Sequence, residues 1–358
     1  MRGEVAAVVL LSTAALLIVV AKRRGLLRLW RPRKAHAVRC LHYWDFAALS
    51  PAVKPTVSEA EFAVAVAQIR KDATQQTLVA VDDAARVLAA CTLLLEPKFL
   101  RGGSYVAHIV GLHADVKARD QMRALLAEAI ERARRAGCYK ALFDSASAAE
   151  SALVQKLGLG PSQLTMSCPL HAASAKGPSH ALPATPPLPA LEGGAFGSLR
   201  LRALQPSDMH EYIKLLKQLS VASIMEPARF ETHLNVCQRA AVHRITVIEE
   251  VQRGILVGCF SLSVQRQPFN NPGLVAHLED VVVDRSERGT GLGRAMIKAA
   301  VIMAEQLGCM RVCLNCKAEN ATFYEKCGFT RSKEGSFAIY FDATSSSNAN
   351  TPVVLRRK

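Results

Sequence analysis

Acidic and aromatic residues are scarce in this chain of 358 residues. Aspartate and glutamate number 30 against 45 lysines and arginines, which gives a formal charge of +15, and aromatic residues make up only 6%. Such a basic chain suggests nucleic acid or an acidic surface as a partner. Many of the basic residues lie near the N-terminus, however, and no nucleic-acid-binding motif accompanies them. We therefore do not predict nucleic acid as a partner.

The chain also lacks the spacings of the common metal and nucleotide motifs. Ten cysteines are present, but Cys313 and Cys316 fall on a predicted strand, where positions three apart face opposite sides, and no second pair completes a zinc site. We therefore expect buried free thiols in a reducing compartment, and no metal. The glycine-rich segment 288–293 has neither the third glycine of a dinucleotide fingerprint, where Arg294 stands, nor the Gly-Lys-Ser/Thr of a P-loop.

The most informative segment is that same glycine run, Arg288-Gly-Thr-Gly-Leu-Gly293. A β-rich stretch at 277–284 precedes it, and an apolar helical run at 294–307 follows. Closely spaced glycines let backbone N–H groups converge on one point, and the helix adds the positive end of its dipole. The segment therefore predicts an anion site that suits a pyrophosphate, with a plain glycine turn as the alternative.

This segment resembles the acetyl-CoA loop of the GNAT superfamily of N-acetyltransferases. A strand at 309–316 and a short helix carrying Asn320 and Tyr324 continue the pattern, and segments 277–283 and 323–329 resemble in particular the glucosamine-6-phosphate N-acetyltransferase family. The resemblance covers residues 197–342 and implies an α/β (α+β) fold with a mixed central sheet flanked by helices. The predicted order of elements is β-α-α-β-β-β-α-β-α-β-β. The implied activity is acetylation of glucosamine 6-phosphate by acetyl-CoA, in UDP-N-acetylglucosamine synthesis.

The resemblance also implies catalytic roles for individual residues. The Val281 N–H, on a strand splayed from its neighbour, would polarise the thioester carbonyl, and Tyr324 would stabilise or protonate the thiolate. Glu279 and its neighbour Asp280 are the candidate carboxylates, and by the resemblance Glu279 lines the sugar site and would take the amine proton directly or through water, with a solvated carboxylate at the sheet end as the alternative. Because the two are adjacent on a strand, we expect their side chains to face opposite sides and only one to meet substrate. Direct attack on the thioester is implied, so Cys316 and Cys327 are expected in the core, and His277 is expected to be structural.

The resemblance also implies two sets of binding residues, one for acetyl-CoA and one for the amino sugar. Acetyl-CoA would contact Val281, Val283, Arg288, Gly289, Thr290, Gly291, Leu292, Gly293, Asn320 and Thr322. The amino sugar would contact Ser220, Glu279, Asp280 and Asn315.

Three positions depart from the family's sugar-phosphate site. The family has a Lys-Phe pair before the Glu-Asp strand, an acidic residue before the cysteine of the next strand, and an arginine near the last strand. This chain has Gln267-Pro268, Asn315 and Ile339-Tyr340 instead. Two alternatives therefore stay open: a non-catalytic acetyl-CoA-binding scaffold, and an acetyltransferase of protein or polyamine amines.

Residues 40–170 form a weak repeat of the predicted catalytic domain at 198–343. Segments 105–115, 136–140 and 153–159 match 274–284, 307–311 and 323–329 in the same order. The chemistry is lost from this first copy. Its loop, 119–124, has no glycine, and Val154 and Glu150 stand at the tyrosine and asparagine positions. We predict a degenerate GNAT-like domain that does not bind coenzyme A.

The first copy nevertheless keeps two of the family's substrate residues. Lys98-Phe99 stands at the loop position and Asp144 at the acidic position. Since the family works as a dimer whose sites draw on both subunits, we hypothesise an internal pseudo-dimer in which Lys98 or Asp144 could serve the second copy's pocket. A homodimer is the other arrangement.

The ends and the middle of the chain are predicted from composition. After a flank at 1–4, seventeen apolar or small residues at 5–21 precede the juxtamembrane segment 22–39, which has seven basic residues at 22–34. This pattern predicts a signal anchor with the catalytic domain in the cytosol, and a cleaved organelle-targeting segment is the alternative. The Ala-, Pro-, Ser- and Gly-rich stretch 171–197 is predicted to be a linker and the tail 344–358 to be disordered.

Overall fold

The computed structural model describes residues 37–115, 117–170, 187–192, 196–220, 225–240, 242–269, 273–333 and 335–340. The predicted anchor, the tail and most of the linker lie outside these ranges. Within them, no helix is both long and apolar enough to cross a membrane. The anchor and the cytosolic location therefore stay predictions.

The first half of the chain contains six strands and three α-helices in the described residues. In chain order they are β1 (Ala37–Cys40), α1 (Glu59–Lys71), β2 (Gln75–Val81), β3 (Val87–Pro97), β4 (Tyr105–Ala114), α2 (Arg119–Arg135), β5 (Cys138–Asp144), α3 (Ala148–Lys156) and β6 (Gly160–Pro169). The predicted loop at 119–124 was wrong, since this segment forms the first turns of α2. Without glycines, nothing in the segment interrupts helical φ and ψ angles.

The second half follows the predicted order of elements. They are β7 (Leu199–Ala203), α4 (Met209–Leu216), α5 (Pro227–Ala240), β8 (His243–Glu250), β9 (Ile255–Gln267), β10 (Gly273–Val283), α6 (Leu292–Gln306), β11 (Cys309–Cys316), α7 (Ala321–Glu325), β12 (Thr330–Arg331) and β13 (Ser336–Tyr340). The expected mixed α/β architecture is confirmed. Strand, helix and strand recur at β4-α2-β5 and β10-α6-β11, with parallel pairing in both halves.

The strands of both halves join in one mixed sheet. Its order is β1-β2-β3-β4-β5-β13-β6-β11-β10-β9-β8-β7, and β12 pairs with β6 outside this path. The halves exchange their last strands: β13 pairs antiparallel with β5, from Ser336↔Asp144 to Tyr340↔Lys140, and β6 pairs antiparallel with β11. Each half-sheet is thus completed by a strand of the other half.

The helices cover the sheet with apolar residues at helical spacing. Helix α6 buries Leu292, Met296, Ala299 and Met303, which repeat at intervals of three and four and pack on the second half-sheet. Helix α2 buries Leu125, Leu126, Ala129, Ile130 and Ala133 against the first half-sheet. The two cores fix the sheet edges at which the functional residues lie.

Candidate active site

A cleft of about 1530 Å³ opens where strands β10 and β11 part. Their parallel pairing ends at His277↔Cys313, so the later residues of β10 lack a partner on β11. The expected splay of this strand is therefore present. The walls come from both halves: β10, α6, β11 and α7 on one side, and residues of β3, β4 and β5 on the other. None of residues 119–124 lines it.

The glycine loop, residues 288–293, lies at the N-terminal end of α6. Gly289 and Gly291 adopt left-handed φ values of +88° and +92°, which L-residues rarely tolerate. Gly291 is the N-cap of α6 and so offers its first turn no side chain, while the Thr290 hydroxyl accepts the N–H of Leu292 at 3.3 Å. A side chain at Gly293 would come within 3.4 Å of the Phe323 ring. The backbone is therefore left open toward the cleft, as an anion site requires.

Most of the predicted cofactor residues meet in this cleft. Those that line it are Val281, Val283, Arg288, Gly289, Thr290, Gly291, Gly293 and Asn320. Leu292 and Thr322 do not line it: the Leu292 side chain is fully buried in the core, and Thr322 is exposed on α7. Two further cations of α6, Arg294 and Lys298, lie on the same wall.

A β-bulge places Glu279 and Asp280 together. Glu279 pairs with Ser261 and Val282 pairs with Cys259 on β9. Asp280 and Val281 therefore both lie opposite one residue, Phe260, and Asp280 has a φ of +51°. The bulge breaks the alternation of side chains, and both carboxylates face the cleft. The expectation that they would face opposite sides was wrong for this reason.

Lys98 of the first half reaches both carboxylates. Its Nζ lies 3.1 Å from Asp280 Oδ1, 3.4 Å from Glu279 Oε2 and 2.6 Å from Glu96 Oε1. Burial raises the pKa values of Glu279 and Asp280, and Lys98 opposes the shift. Burial would lower the pKa of Lys98, but Asp280, Glu96 and Glu279 hold it well above its usual range. Lys98 therefore stays charged, and it keeps negative charge at the carboxylates.

Tyr324 lies on the opposite wall, near the end of α7. Its ring meets Phe323 and Phe329 edge-on, with centroids 5.1 and 6.0 Å away, so its orientation is fixed by packing. Burial raises the pKa of its hydroxyl, and Cys316 and Glu279 add to the shift. The hydroxyl therefore carries its proton at neutral pH and can donate it.

Asp144 contacts the cleft through Asn315. The Asn315 amide donates to Asp144 Oδ1 at 3.2 Å, and the Thr165 hydroxyl donates to the amide oxygen of Asn315 at 3.0 Å. Asn315 lines the cleft and Asp144 does not. The acidic group absent at position 315 is thus supplied behind it by the other half. Ser220, at the end of the segment after α4, also lines the cleft.

Sequence reasoning found Lys98 but missed two further cations that the first half contributes. Arg101 and Lys140 line the cleft beside Tyr139, with Arg101 Cζ 5.1 Å and Lys140 Nζ 6.0 Å from the centre of its ring. Burial lowers the pKa of Lys140, and repulsion from Lys98 acts in the same direction. The signal was present in the repeat, where Tyr139-Lys140 in one copy stands opposite Met310-Arg311 in the other.

The carboxylates of this cleft already have a cation of the protein's own. Glu96, His108 and Glu279 place ligand-type atoms within 4.8 Å of one another, but the Lys98 ammonium bonds to Glu96 and lies beside Glu279. All ten cysteines are free. Burial raises the pKa values of Cys316 and Cys327, so neither is a ready thiolate nucleophile.

Comparisons with known proteins show that the second half of the chain is similar to acetyltransferases. The acetyltransferase (GNAT) family model matches residues 213–329. Glucosamine 6-phosphate N-acetyltransferase of Arabidopsis thaliana is 33% identical over 147 residues, which are 40% of this chain and 98% of that protein. Glucosamine 6-phosphate N-acetyltransferase 1 of Oryza sativa subsp. japonica is 34% identical over 154 residues, 42% of this chain and 93% of that protein.

Among solved structures, a tandem GNAT protein from the clavulanic acid biosynthesis pathway aligns with 85% of this chain and 98% of its own. Its sequence identity is 18% and the TM-score is 0.46. The family assignment depends instead on the two plant relatives, which match across nearly their whole length. By that sequence similarity, the chain belongs to the GNAT family of acetyltransferases.

Proposed function

We propose that this protein transfers the acetyl group of acetyl-CoA to the amine of glucosamine 6-phosphate. The observation that carries the proposal is one cleft that brings the glycine loop, Tyr324 and the Glu279–Asp280 pair together with cations from the other half of the chain. The names of the plant relatives support the same substrate.

The glycine loop fits the pyrophosphate end of acetyl-CoA. A Cβ at Gly289 or Gly291 would meet no atom within 4 Å, so these glycines keep the approach open rather than fill a packed core. Arg288, Arg294 and Lys298 add positive charge to the same wall. When bound, acetyl-CoA supplies the acetyl group as a thioester.

The carboxylates suit an incoming amine. An amine is protonated at neutral pH and must lose its proton before it can attack. Glu96 also bonds to the His108 imidazole, whereas Glu279 and Asp280 share the Lys98 ammonium, so this pair can accept a second cation. The substrate ammonium would fill that role and pass its proton to Glu279 or Asp280.

The first half of the chain offers positive charge for the phosphate group of glucosamine 6-phosphate. Lys140 and Arg101 bring two cations to the wall that faces β10, and a phosphate there would relieve the repulsion between Lys98 and Lys140. Lys140 pairs in register with Tyr340 of the exchanged strand β13, next to the position where the family has its arginine. The first copy would thus bind substrate although it has lost the cofactor loop.

Three groups of the chain would act on the reacting atoms. The Val281 N–H, in the bulge, would donate to the carbonyl oxygen as it becomes negative. Glu279 or Asp280 would take the amine proton, and the Tyr324 hydroxyl would hold a proton for the departing sulfur. Because the thiols of the cleft are protonated, direct attack by the amine needs no acyl-enzyme.

Released thiol tests this function. The full chain is supplied with acetyl-CoA and, in parallel, glucosamine 6-phosphate, glucosamine or a lysine peptide. We expect turnover with the sugar phosphate at a kcat/KM well above the other two. Preference for the peptide would make the protein a different acetyltransferase, and tight acetyl-CoA binding without turnover would make it a scaffold.

The location of the protein is part of the proposal. The apolar segment 5–21 and the basic residues after it would hold the cleft at the cytosolic face of a membrane. Carbonate-resistant sedimentation, lost on deletion of residues 1–34, would support this. A soluble full-length chain would contradict it.

A further inference from the structure

The polar groups between the two halves are asymmetric. His108 on β4 and His277 on β10 occupy matching positions of the repeat, and their ring centroids lie 5.8 Å apart. His277 Nε2 lies 3.0 Å from the amide oxygen of Gln265, whereas His108 Nε2 lies 2.8 Å from a carboxylate oxygen of Glu96. Gln265 and Glu96 also match in the repeat, so one half has a neutral partner and the other a charged one.

The pair with the charged partner, His108 and Glu96, is on the side that faces the cleft. Glu96 bridges His108 and Lys98, with 2.8 Å to the imidazole and 2.6 Å to the ammonium. At the position that matches Lys98, the second half has Gln267. Glu96, Lys98 and His108 are all buried, at 5% exposure or less. At two of these three matching positions, Glu96 and Lys98, a charged side chain is therefore retained only where it adjoins Glu279 and Asp280.

Charges of alternating sign form a chain through these groups. Burial would raise the pKa of Glu96, but Lys98 and His108 hold it well below its usual range. Burial would lower the pKa of His108, but its bond to Glu96 outweighs this and raises it. In the other half, burial lowers the pKa of His277 to about 3, so that imidazole is neutral. The chain of charges ends on the carboxylates of the cleft.

We propose that Glu96 and His108 are positioning residues that hold the Lys98 ammonium against Glu279 and Asp280, and so set the charge with which these carboxylates receive the amine proton. The inference rests on the proposed function. Glu96 and His108 act through Lys98, and the proton itself moves only from the substrate ammonium to a carboxylate oxygen.

Other titratable groups also face these carboxylates. They are Tyr139 and Lys140 from β5, Tyr324 from α7, Tyr212 from α4 and Cys259 from β9. Since they stay unchanged in the variants below, a difference between variants reports on the chain of charges alone.

The pH dependence of kcat/KM for glucosamine 6-phosphate tests the inference on the full chain. Glu96→Gln removes a negative charge that raises the pKa of both carboxylates, so the acid limb should move down by about one pH unit. His108→Gln keeps a donor for Glu96 but removes an imidazole whose protonated form lowers the pKa of Glu279, so the limb should move up. His277→Gln, the matched control, changes a buried imidazole that carries no charge and should leave the limb in place.

Opposite shifts in the first two variants, with the control unmoved, are the expected result. Equal shifts, or none in either variant, would overturn the inference. A ¹³C NMR titration of the Glu279 carboxyl, assigned by its loss in Glu279→Gln, reads the same signs without turnover. If the wild type acetylates no amine, the proposed function fails, and this titration still decides the role of Glu96 and His108.

Discussion

Replacing Lys98 by methionine should destabilise the protein, because it leaves carboxylates in the cleft without their cation. The Lys98 side chain is 7% exposed and its Nζ lies within 3.4 Å of three carboxylates. Removing one partner of a buried ion pair costs about 3–5 kcal/mol. Since Glu279 and Asp280 can take up protons instead, we expect about 3 kcal/mol at pH 7, at the low end of that range.

A double-mutant cycle with Asp280→Asn isolates the contact. Urea unfolding would be measured for the wild type, Lys98→Met, Asp280→Asn and the double variant. Because the 3.1 Å contact is direct, the double variant should lose less than the sum of the single losses, with a coupling of about 1–3 kcal/mol. The matched control is Lys298→Met with Glu192→Gln. That pair is 2.6 Å apart but more than half exposed on both sides, so its coupling should be close to zero.

The pH dependence of the loss in unfolding free energy caused by Lys98→Met supplies a second criterion. Burial raises the pKa values of Glu279 and Asp280 in the folded state, so they become neutral early on acidification. The cost of Lys98→Met should therefore shrink as the pH falls, since protonation removes the uncompensated charge. Additive losses at pH 7, or a cost that grows toward acid pH, would refute the role given to Lys98.

Four further predictions follow from the site and the core. Tyr324→Phe should lower kcat by about 10²-fold or more while acetyl-CoA affinity is kept, as stopped-flow binding and thiol release would show; an unchanged kcat would remove Tyr324 as the acid. Gly291→Ala, at a φ of +92°, should weaken acetyl-CoA binding in calorimetry by about tenfold, whereas Gly254→Ala, at +63° in the β8–β9 turn, should cost stability without changing that affinity. Lys140→Gln should raise KM for glucosamine 6-phosphate and leave KM for glucosamine unchanged; equal effects on both would place the phosphate elsewhere. Stability should fall as the pH drops from 6.5 toward about 4, because burial lowers the pKa values of His233 and His243 to about 4 and the unfolded chain takes up the protons first; urea midpoints that stay level over this interval would contradict the assignment.

The second half of the fold could be predicted from the sequence because its signals are local. The glycine loop, the apolar spacing of α6 and the position of Tyr324 each depend on neighbours within one or two turns. The pairing of β13 with β5 depends on contacts between residues nearly 200 positions apart, which no local pattern encodes. The exchange of strands was therefore not foreseen.

The carboxylate pair shows the limit of periodicity. Two adjacent strand residues face opposite sides only in a regular ladder, and the bulge at Asp280 breaks that ladder. Nothing in Glu279-Asp280-Val281 marks the bulge. The degenerate copy shows a different limit: its missing glycines predict that it binds no coenzyme A, but they drew attention away from Tyr139 and Lys140, which line the second copy's cleft. Retained Lys98 and Asp144 were the signs in the sequence that the first copy contributes to the site.

The central claim is that both halves build one active site. A crystal structure of the full chain with coenzyme A and glucosamine 6-phosphate tests it most directly. The account predicts one coenzyme A per chain with its pyrophosphate at 288–293, the sugar amine at Glu279 and Asp280, and the phosphate at Lys140 and Arg101. A second coenzyme A in the first half, or a sugar phosphate that contacts no residue before 198, would contradict it.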